Sequence, residues 1–490
     1  MAAINVSPKV WLTAIISMVV LLMAYWYDKS RVDDLLARVE LTHQSLLDIE
    51  ASVSVNPKTK IAIGFGSCVD VITQSRDVIL DRYRPPKDPK PHDIIETTDE
   101  LLEVFTYYFQ FGAAAERYIK NSTLFDELVA AANSGQHTKR MIGGNAPIMA
   151  TRFAKEGVGH VLLAAQVSTQ LESQLPTDIV LSAPHLPKDD IHLLLEYPLN
   201  EYWSDRYVSP RANRFIVHND HNNPLLGSLD TFYEKAIEFK PQLVIVSGLQ
   251  MMDNFPIDFE VRRQRIEILR QSLINLRKND KSIKIHFEMA SFAEEILLKT
   301  ISDRIFPIVD SIGLNEQEIN NLYTLYTYGN LSMVADPYPR VALALDQIRF
   351  LYEVLQSENS GRLTRIHVHT LAFQAILTKK GSDWKELMAS SAKAALTAHR
   401  HTCGSEVIDI NKAKLIMDES FSTTRSDKNK RRIGFNVQKP VNCWDEKIFH
   451  NRDGFHEVSI CVAPVLVCTK VLQTGGGGDN VSAAGIVLQV

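Results

Sequence analysis

The sequence predicts an α/β protein, with a large body in which a parallel sheet carries helices on both faces. Three observations lead there. From residue 157 onward, apolar runs of strand length alternate with long stretches of helical periodicity, the pattern of a parallel sheet built from crossover units. Near the C-terminus, Thr474-Gly475-Gly476-Gly477-Gly478-Asp479-Asn480 leads glycine straight into small residues able to start a helix, an arrangement that can present several N–H groups to one anion. At 490 residues, 45% apolar and 23% charged, the chain has ample material for a large core. The net charge of −5 gives no reason to expect nucleic acid. Five cysteines, Cys68, Cys403, Cys443, Cys461 and Cys468, lack metal-site spacing and are too sparse for a disulfide scaffold, although one bridge among the last four stays open.

Residues 10–27 read VWLTAIISMVVLLMAYWY, uninterrupted by charge and ending in aromatics suited to a membrane interface. Residues 1–28 are therefore expected to be a signal-anchor or a cleaved signal peptide. Either would place the rest in the secretory pathway, with Asn121-Ser122-Thr123 and Asn330-Leu331-Ser332 as glycosylation sequons. Apolar residues at helical spacing over 31–50 predict a helical tether, so that residues 29–55 lead to a folded unit at 56–490. A chain starting near Ser52 should then keep full activity. Lys60 to Phe65 reads as a strand, and Asp70 follows at what would be its carboxyl end, where open sheets bind ligands; a helix cap is the competing role. Thr98 to about Ile119 reads as helix. Gly143-Gly144-Asn145 precedes another helical stretch and by itself could be a simple turn.

Strands are expected at 158–165, 192–197, 214–218, 243–247, 284–290, 305–312 and 365–370, with long helices at 259–276, 316–326 and 341–356. Breaks are expected at 336–340 and at the polar stretch 420–432, and 458–467 should return one or two strands to the glycine loop.

Several of these strand ends carry chemistry. His286 and Glu288 alternate onto one face of their strand. Asn315 and Glu318 lie one turn apart if a helix starts there, and two carboxylates with an amide beside them suit Mg²⁺ held largely through water. Glu318 alone would be a first-turn helix charge. Asp479 conflicts with a purely phosphate-binding loop. The conflict disappears if the phosphate is the transferred group and the carboxylate is the base for the attacking alcohol.

Gly143-Gly144-Asn145, His286-x-Glu288, Asn315-x-x-Glu318 and Gly476-x-Gly478-Asp479, in that order, resemble the ribokinase-like sugar kinases. The variant motifs are similar to the ADP-dependent branch, the eukaryotic ADP-dependent glucokinases in particular. CVDV at 68–71, GAAAER at 112–117, LLLEY at 193–197, ANRFI at 212–216, SGLQMM at 247–252, GLNEQE at 313–318 and RIHVHT at 365–370 extend the likeness over about residues 58–488. The resemblance implies a three-layer α/β/α body with a smaller discontinuous α+β lid drawn from about 88–235. It implies transfer of the ADP β-phosphate to the 6-hydroxyl of D-glucose, with Mg²⁺, by a monomer. Asp479 falls at the catalytic base, Gly476, Gly477 and Gly478 at the anion hole, and Glu288, Glu318 and Asp479, supported by Asn315, at the metal. Asp70, Glu116, Gly143, Gly144, Asn145 and His192 fall at the sugar; Arg214, His369 and Thr370 fall at the nucleotide and its phosphates. Gly477 departs from the family, whose members often carry a larger apolar residue there, and Gly66-Ser67 replaces an Asn-Ala pair. ADP preference rests on the resemblance alone. The alternatives are a kinase of this family for fructose 6-phosphate or a nucleoside, and a catalytically silent lumenal binding protein. Membrane contact is expected only through residues 10–27, and the location is the endoplasmic reticulum, lumen or membrane, or outside the cell.

Overall fold

The computed structural model describes residues 8–135, 138–331, 336, 339–358, 362–428, 430–450 and 454–490. Two sheets organise it. The larger has ten strands, in the order Asn442–His450, Gly454–Pro464, Phe373–Lys379, Arg365–His369, Ser311–Asn315, Lys284–Glu288, Leu243–Val246, Lys60–Gly64, His160–Ala164 and Ile179–Leu181. Arg365–His369 through Ile179–Leu181 pair in parallel, and the first three strands add an antiparallel edge. Strands such as Ile61-Ala62-Ile63 are apolar on both sides because both sides are covered. Ala62, Val244 and Phe287 pack with Leu269 and Leu273 of helix Phe259–Asn279 and with Leu345 of helix Val341–Glu358. Ile61, Ile63 and Ile245 pack the opposite way, with Phe153 of helix Asn145–Lys155 and Ile486 of helix Gly477–Val487. These make the three layers of the body.

The lid is a six-stranded sheet in the order Ile94–Ile95, Ala115–Ile119, Asn213–His218, Ile191–Tyr197, Cys68–Gln74 and Lys139–Gly143. Its strands obey a period of two. Val71, Leu193, Leu195, Phe215 and Val217 point into a core with Phe105 and Phe109 of helix Thr98–Phe111 and Leu128 of helix Ser122–Asn133. Asp70, Glu116, His192, Leu194, Arg214 and Ile216 take the other face, toward the body.

The structure corrects several expectations. Residues 98–119 are not one helix: Gly112 adopts a left-handed conformation at φ 58° and ends it, and Ala115–Ile119 is a lid strand. Residues 305–312 are not one strand. Phe306–Ile308, with Pro307, forms a single tight turn, and the strand proper is Ser311–Asn315. Asp70 lies within lid strand Cys68–Gln74 rather than ending the first body strand, so the lid sheet opens earlier than residue 88. The cysteines form two bridges, Cys403–Cys468 and Cys443–Cys461, leaving Cys68 free and buried.

The N-terminal helix runs from Pro8 to Ala51. Its second half is packed onto the body rather than standing off as a tether: Val39 and Leu46 join Ala392, Ala395 and Leu396 of helix Leu387–Cys403. Glu50 accepts from Arg400 Nη1 and Nη2 at 2.8 Å each. Among the described residues no helix is long and apolar enough to cross a membrane. Of the apolar run at 10–27, side chains 16–26 are exposed, Trp26 at 75%. The rest of that run, like residues 337–338 of the expected break, lies outside the described side chains.

Candidate active site

The glycine loop opens helix Gly477–Val487, with Gly476 as its left-handed first cap at φ 68°. Asn480 N–H is the first to bond back, to Gly476 O at 3.1 Å, so the amides of Gly477, Gly478 and Asp479 have no partner within the helix. The loop is held from several directions. His401 Nε2 donates to Gly475 O at 2.7 Å, and burial keeps that imidazole neutral by lowering its pKa to about 4. Arg152 Nε donates to Asn480 Oδ1 at 2.9 Å. From the lid, Glu196 Oε1 accepts from Thr474 N–H at 2.7 Å and from its hydroxyl at 2.6 Å.

Asp479 stands in the first turn of this helix, buried, and Asn145 Nδ2 donates to its Oδ1 at 2.8 Å. Gln250 Nε2 in turn donates to Asn145 Oδ1 at 2.9 Å, which fixes the amide with its NH₂ toward the carboxylate. Burial first, and the nearby Glu288 carboxylate second, push the Asp479 carboxyl up to about 7. A carboxylate poised there is a strong acceptor for an alcohol proton at neutral pH.

Glu288 behaves oppositely. Burial would raise it, but hydrogen bonds from His286 and then His369 override that and hold it at about 2. His286 Nε2 lies 2.9 Å from its Oε2, His369 Nε2 3.3 Å from its Oε1, and the Ser482 hydroxyl donates to it as well. Gly313 must stay glycine here, because a Cβ would sit 2.2 Å from Glu288 Oε2. Glu318, in contrast, is pushed up to about 7 by burial, with Glu288 adding to the effect. Its two oxygens receive Asn315 N–H and Nδ2, each at 2.8 Å, while Asn315 Oδ1 accepts from Glu318 N–H at 2.9 Å. Glu318 is thus a capping-box residue that also faces the cleft.

The opposite wall is the lid. Asp70 is buried and raised to about 6, by burial first. Its carboxylate leans over Gly143, where a Cβ would fall 1.9 Å from Oδ1. Gly144, at φ 84°, brings its backbone against Gly66 and Ser67. His192 and Glu116 line the same wall, and so does Arg214, whose buried Nε has no hydrogen-bond partner among the described residues. Arg211 Nη1 crosses to Glu316 Oε1 on the body at 2.9 Å.

Body and lid enclose a cleft of about 710 Å³. Asp479, Gly476, Gly477, Gly478, Glu288, Glu318, Asn315, Asp70, Glu116, Gly144, Asn145, His192, Arg214, His369 and Thr370 all line it, and Gly143 backs Asp70. Two roles look different in three dimensions. His369 is a partner of Glu288, and the Thr370 hydroxyl is committed to a turn, donating to Phe373 O at 2.9 Å. Sequence reading assigned no role to Gln250, Glu196, His401, Ser482, His218 or Asp220. Gln250 and Glu196 fall inside SGLQMM and LLLEY, but only the fold shows what each touches.

A glycine-opened helix with a buried carboxylate in its first turn, under a lid whose inner face is polar, defines a phosphotransferase for an alcohol acceptor. Comparison with known proteins narrows this. The family model for the ADP-specific phosphofructokinase/glucokinase conserved region matches residues 59–488, and the chain belongs to that family. It is 31% identical over 432 residues to the ADP-dependent glucokinase of Bos taurus, covering 87% of this chain and 84% of that one. It is 27% identical to a probable ADP-dependent glucokinase of Caenorhabditis elegans, over 96% and 94% of the two chains. Among solved structures, an ADP-dependent kinase in complex with fructose-6-phosphate and ADPβS superposes with a TM-score of 0.64, over 92% of this chain and 97% of that one, at 17% identity.

Proposed function

We propose that the chain is a glucokinase that uses ADP: the β-phosphoryl group passes to the 6-hydroxyl of D-glucose, leaving AMP. The observation that carries this reading is Asp479, buried at the mouth of the glycine-loop helix and held by Asn145, with free backbone amides beside it and the lid wall opposite. The new bond joins the sugar O6 to phosphorus, the bond between phosphorus and the bridging oxygen of ADP breaks, and Asp479 takes the hydroxyl proton. Gly477 and Gly478 amides and the unpartnered Arg214 Nε face the negative charge of the phosphoryl group.

Glu288, Glu318 and Asp479 would hold Mg²⁺, which would neutralise phosphate charge. The donor set fits: all are buried carboxylates, and two are raised to about 7, as expected where a cation is owed. Among the described residues they are not one of the clusters whose atoms converge closely enough to grip an ion directly, so contact through the water shell suits them.

A neutral sugar suits the acceptor wall better than fructose 6-phosphate does, because Asp70 and Glu116 would repel a second phosphate. Secretory targeting through residues 10–27 is consistent with the two disulfides, which persist in oxidising compartments. Asn121 is exposed, whereas Asn480 Nδ2 donates to Gly476 O at 2.9 Å and should stay unmodified. The test is a coupled assay of ADP against ATP on glucose and on fructose 6-phosphate. Glucose 6-phosphate and AMP formed from ADP are expected. Turnover of fructose 6-phosphate with none of glucose would overturn the acceptor assignment.

A further inference from the structure

Behind the acceptor wall lies a charge cluster that phosphoryl transfer itself does not use. Asp220 is fully buried just past strand Asn213–His218. His192 Nε2 is 3.0 Å from each of its oxygens, and His218 Nδ1 is 3.3 Å from Oδ1. On the other edge of the same two rings, Glu116 Oε1 lies 3.5 Å from His192 Nδ1 and 4.0 Å from His218 Nε2. The rings stack with centroids 4.7 Å apart and planes 30° apart. Two carboxylates therefore bridge one imidazole pair from opposite edges and close a ring of four. Glu116 and His192 face the cleft, whereas Asp220 and His218 are not among its lining residues. Asn223 Nδ2 pins Asp220 Oδ2 at 2.8 Å and Ser67 O at 2.9 Å, so the back of the ring is fixed.

We propose that Asp220 is a positioning residue for the acceptor sugar: by holding His192 as a doubly protonated imidazolium, it keeps the Nδ1–H donating toward Glu116 and the cleft. The inference rests on reading Glu116 and His192 as sugar-binding groups. Its physical core is a count of protons. A neutral His192 has one N–H, which the two-point contact with Asp220 draws to Nε2. Nδ1 would then be a bare lone pair facing the Glu116 carboxylate, two acceptors with no proton between them, and Glu116 would turn away. A charged His192 donates to Asp220 at one edge and turns a second N–H toward Glu116 Oε1 at the other, which lies 3.5 Å away and has no hydrogen-bond partner among the described residues. Burial lowers the His192 pKa, but Asp220 overrides it and lifts the group to about 10; burial would raise Asp220, but His192 and then His218 hold it well below the usual carboxylate range. Asp70, Cys68, Glu116, Tyr118, Asp190 and His218 also face this cluster. Asp70, at about 6, is ionised throughout the window chosen below.

The experiment measures glucose binding to the full-length protein by calorimetry, without nucleotide, from pH 7 to 9, in the parent, Asp220→Asn and Glu116→Gln, alongside kcat at saturating glucose. The parent Kd should stay within about twofold from pH 8 to 9, above the titration of Asp479 and Glu318 near 7. Asp220→Asn should bind glucose at least ~10-fold more weakly at pH 8, the scale of one lost charge-assisted hydrogen bond. Its affinity should recover toward pH 7, while kcat stays within about threefold of the parent. A parent whose affinity falls tenfold between pH 8 and 9, above the range near 7 where Asp479 and Glu318 titrate, overturns the proposal without any variant, so a variant that fails to fold cannot shield it. An Asp220→Asn protein that keeps the parent's Kd and pH profile overturns it too, provided Glu116→Gln weakens binding. If Glu116→Gln leaves glucose binding unchanged, the reading of the pocket fails and the inference falls with it.

Discussion

Both walls of the cleft carry carboxylates, but the body leaves two of its three without a basic partner in hydrogen-bond contact, whereas the lid sets its pair against two imidazoles. On the body side, Glu288 takes the hydrogen bonds of His286 and His369 and is held at about 2, while Glu318 and Asp479 are each lifted to about 7. On the lid side, Asp220 and Glu116 face His192 and His218 in a closed ring, and Asp220 is held well down. A wall short of positive charge attracts a cation. The lid wall offers paired donors and acceptors, which suit a neutral polyol, and its carboxylates, Asp70 included, disfavour a phosphate. On the function proposed above, the metal and phosphates would then sit against the body and the sugar against the lid.

The largest expected effect tests the uncompensated wall. Asp479→Asn keeps shape and the Asn145 contact region but cannot take the hydroxyl proton. General-base catalysis is worth ~10²–10⁴ in rate, so kcat should fall at least ~10²-fold. ADP should bind no more weakly, since one charge beside the phosphates is gone. Turnover within threefold of the parent, with an unchanged thermal melt, would sink the assignment.

Glu318→Gln removes the other raised carboxylate and leaves one acceptor oxygen for the two Asn315 donors, so the helix cap keeps one of its two bonds. An increased Mg²⁺ requirement and a turnover lower by about 10-fold are expected, one lost electrostatic contact of 1.4 kcal/mol; superimposable Mg²⁺ titrations would leave Glu318 as a helix cap only. The same wall predicts a pH effect. Asp479 acts when ionised, so kcat/KM should rise as pH passes through about 7 when Mg²⁺ is limiting. Added Mg²⁺ favours the carboxylate and should move that midpoint to lower pH. The lid wall has the reverse sign. The folded pKa of His192 is raised to about 10, so its stabilisation is complete below its unfolded value near 6.5 and is lost as pH rises toward 10. Melting temperature should therefore fall over that interval, and by less in Asp220→Asn.

How much of this was legible in the sequence follows from the kind of contact involved. Alternating runs gave the parallel sheet, and the glycine-to-helix transition placed Asp479, because both are local patterns. Gly112 was missed as a helix stop because Ala113 to Arg117 extend a good helical composition, and only pairing of Ala115 with Phe215 makes them a strand. The ring around Asp220 joins residues up to 104 positions apart, from Glu116 to Asp220, and no spacing announces it. The tether expectation failed for the same reason. Glu50 meets Arg400 across |i−j| of 350, so a chain starting at Ser52 leaves Arg400 without its carboxylate, while Lys393 keeps Glu156 at 2.5 Å, and should melt several degrees lower than one starting near residue 33. Equal melts would restore the tether.

The smallest expected effect lies where neither wall presses on the loop. A Cβ at Gly475 would meet Leu194 of the lid at 2.7 Å, one at Gly476 would meet Ile148 at 2.9 Å, and one at Gly478 would meet His369 at 3.0 Å. A Cβ at Gly477 would find only His401, at an ordinary 3.7 Å, and Gly477 is not among the positive-φ residues. Gly477→Ala should leave kcat within about threefold and raise stability by roughly 0.4–1 kcal/mol, because alanine restricts the unfolded chain at no cost in helical backbone. Gly476→Ala adds a left-handed alanine, at about 1–2 kcal/mol, to the contact with Ile148, and should lower kcat about 10-fold or more. The pair isolates geometry from charge, since neither substitution alters a titratable group. If Gly477→Ala were as damaging as Gly476→Ala, the loop would need its flexibility at every position, and the division into pressed and unpressed glycines would be wrong.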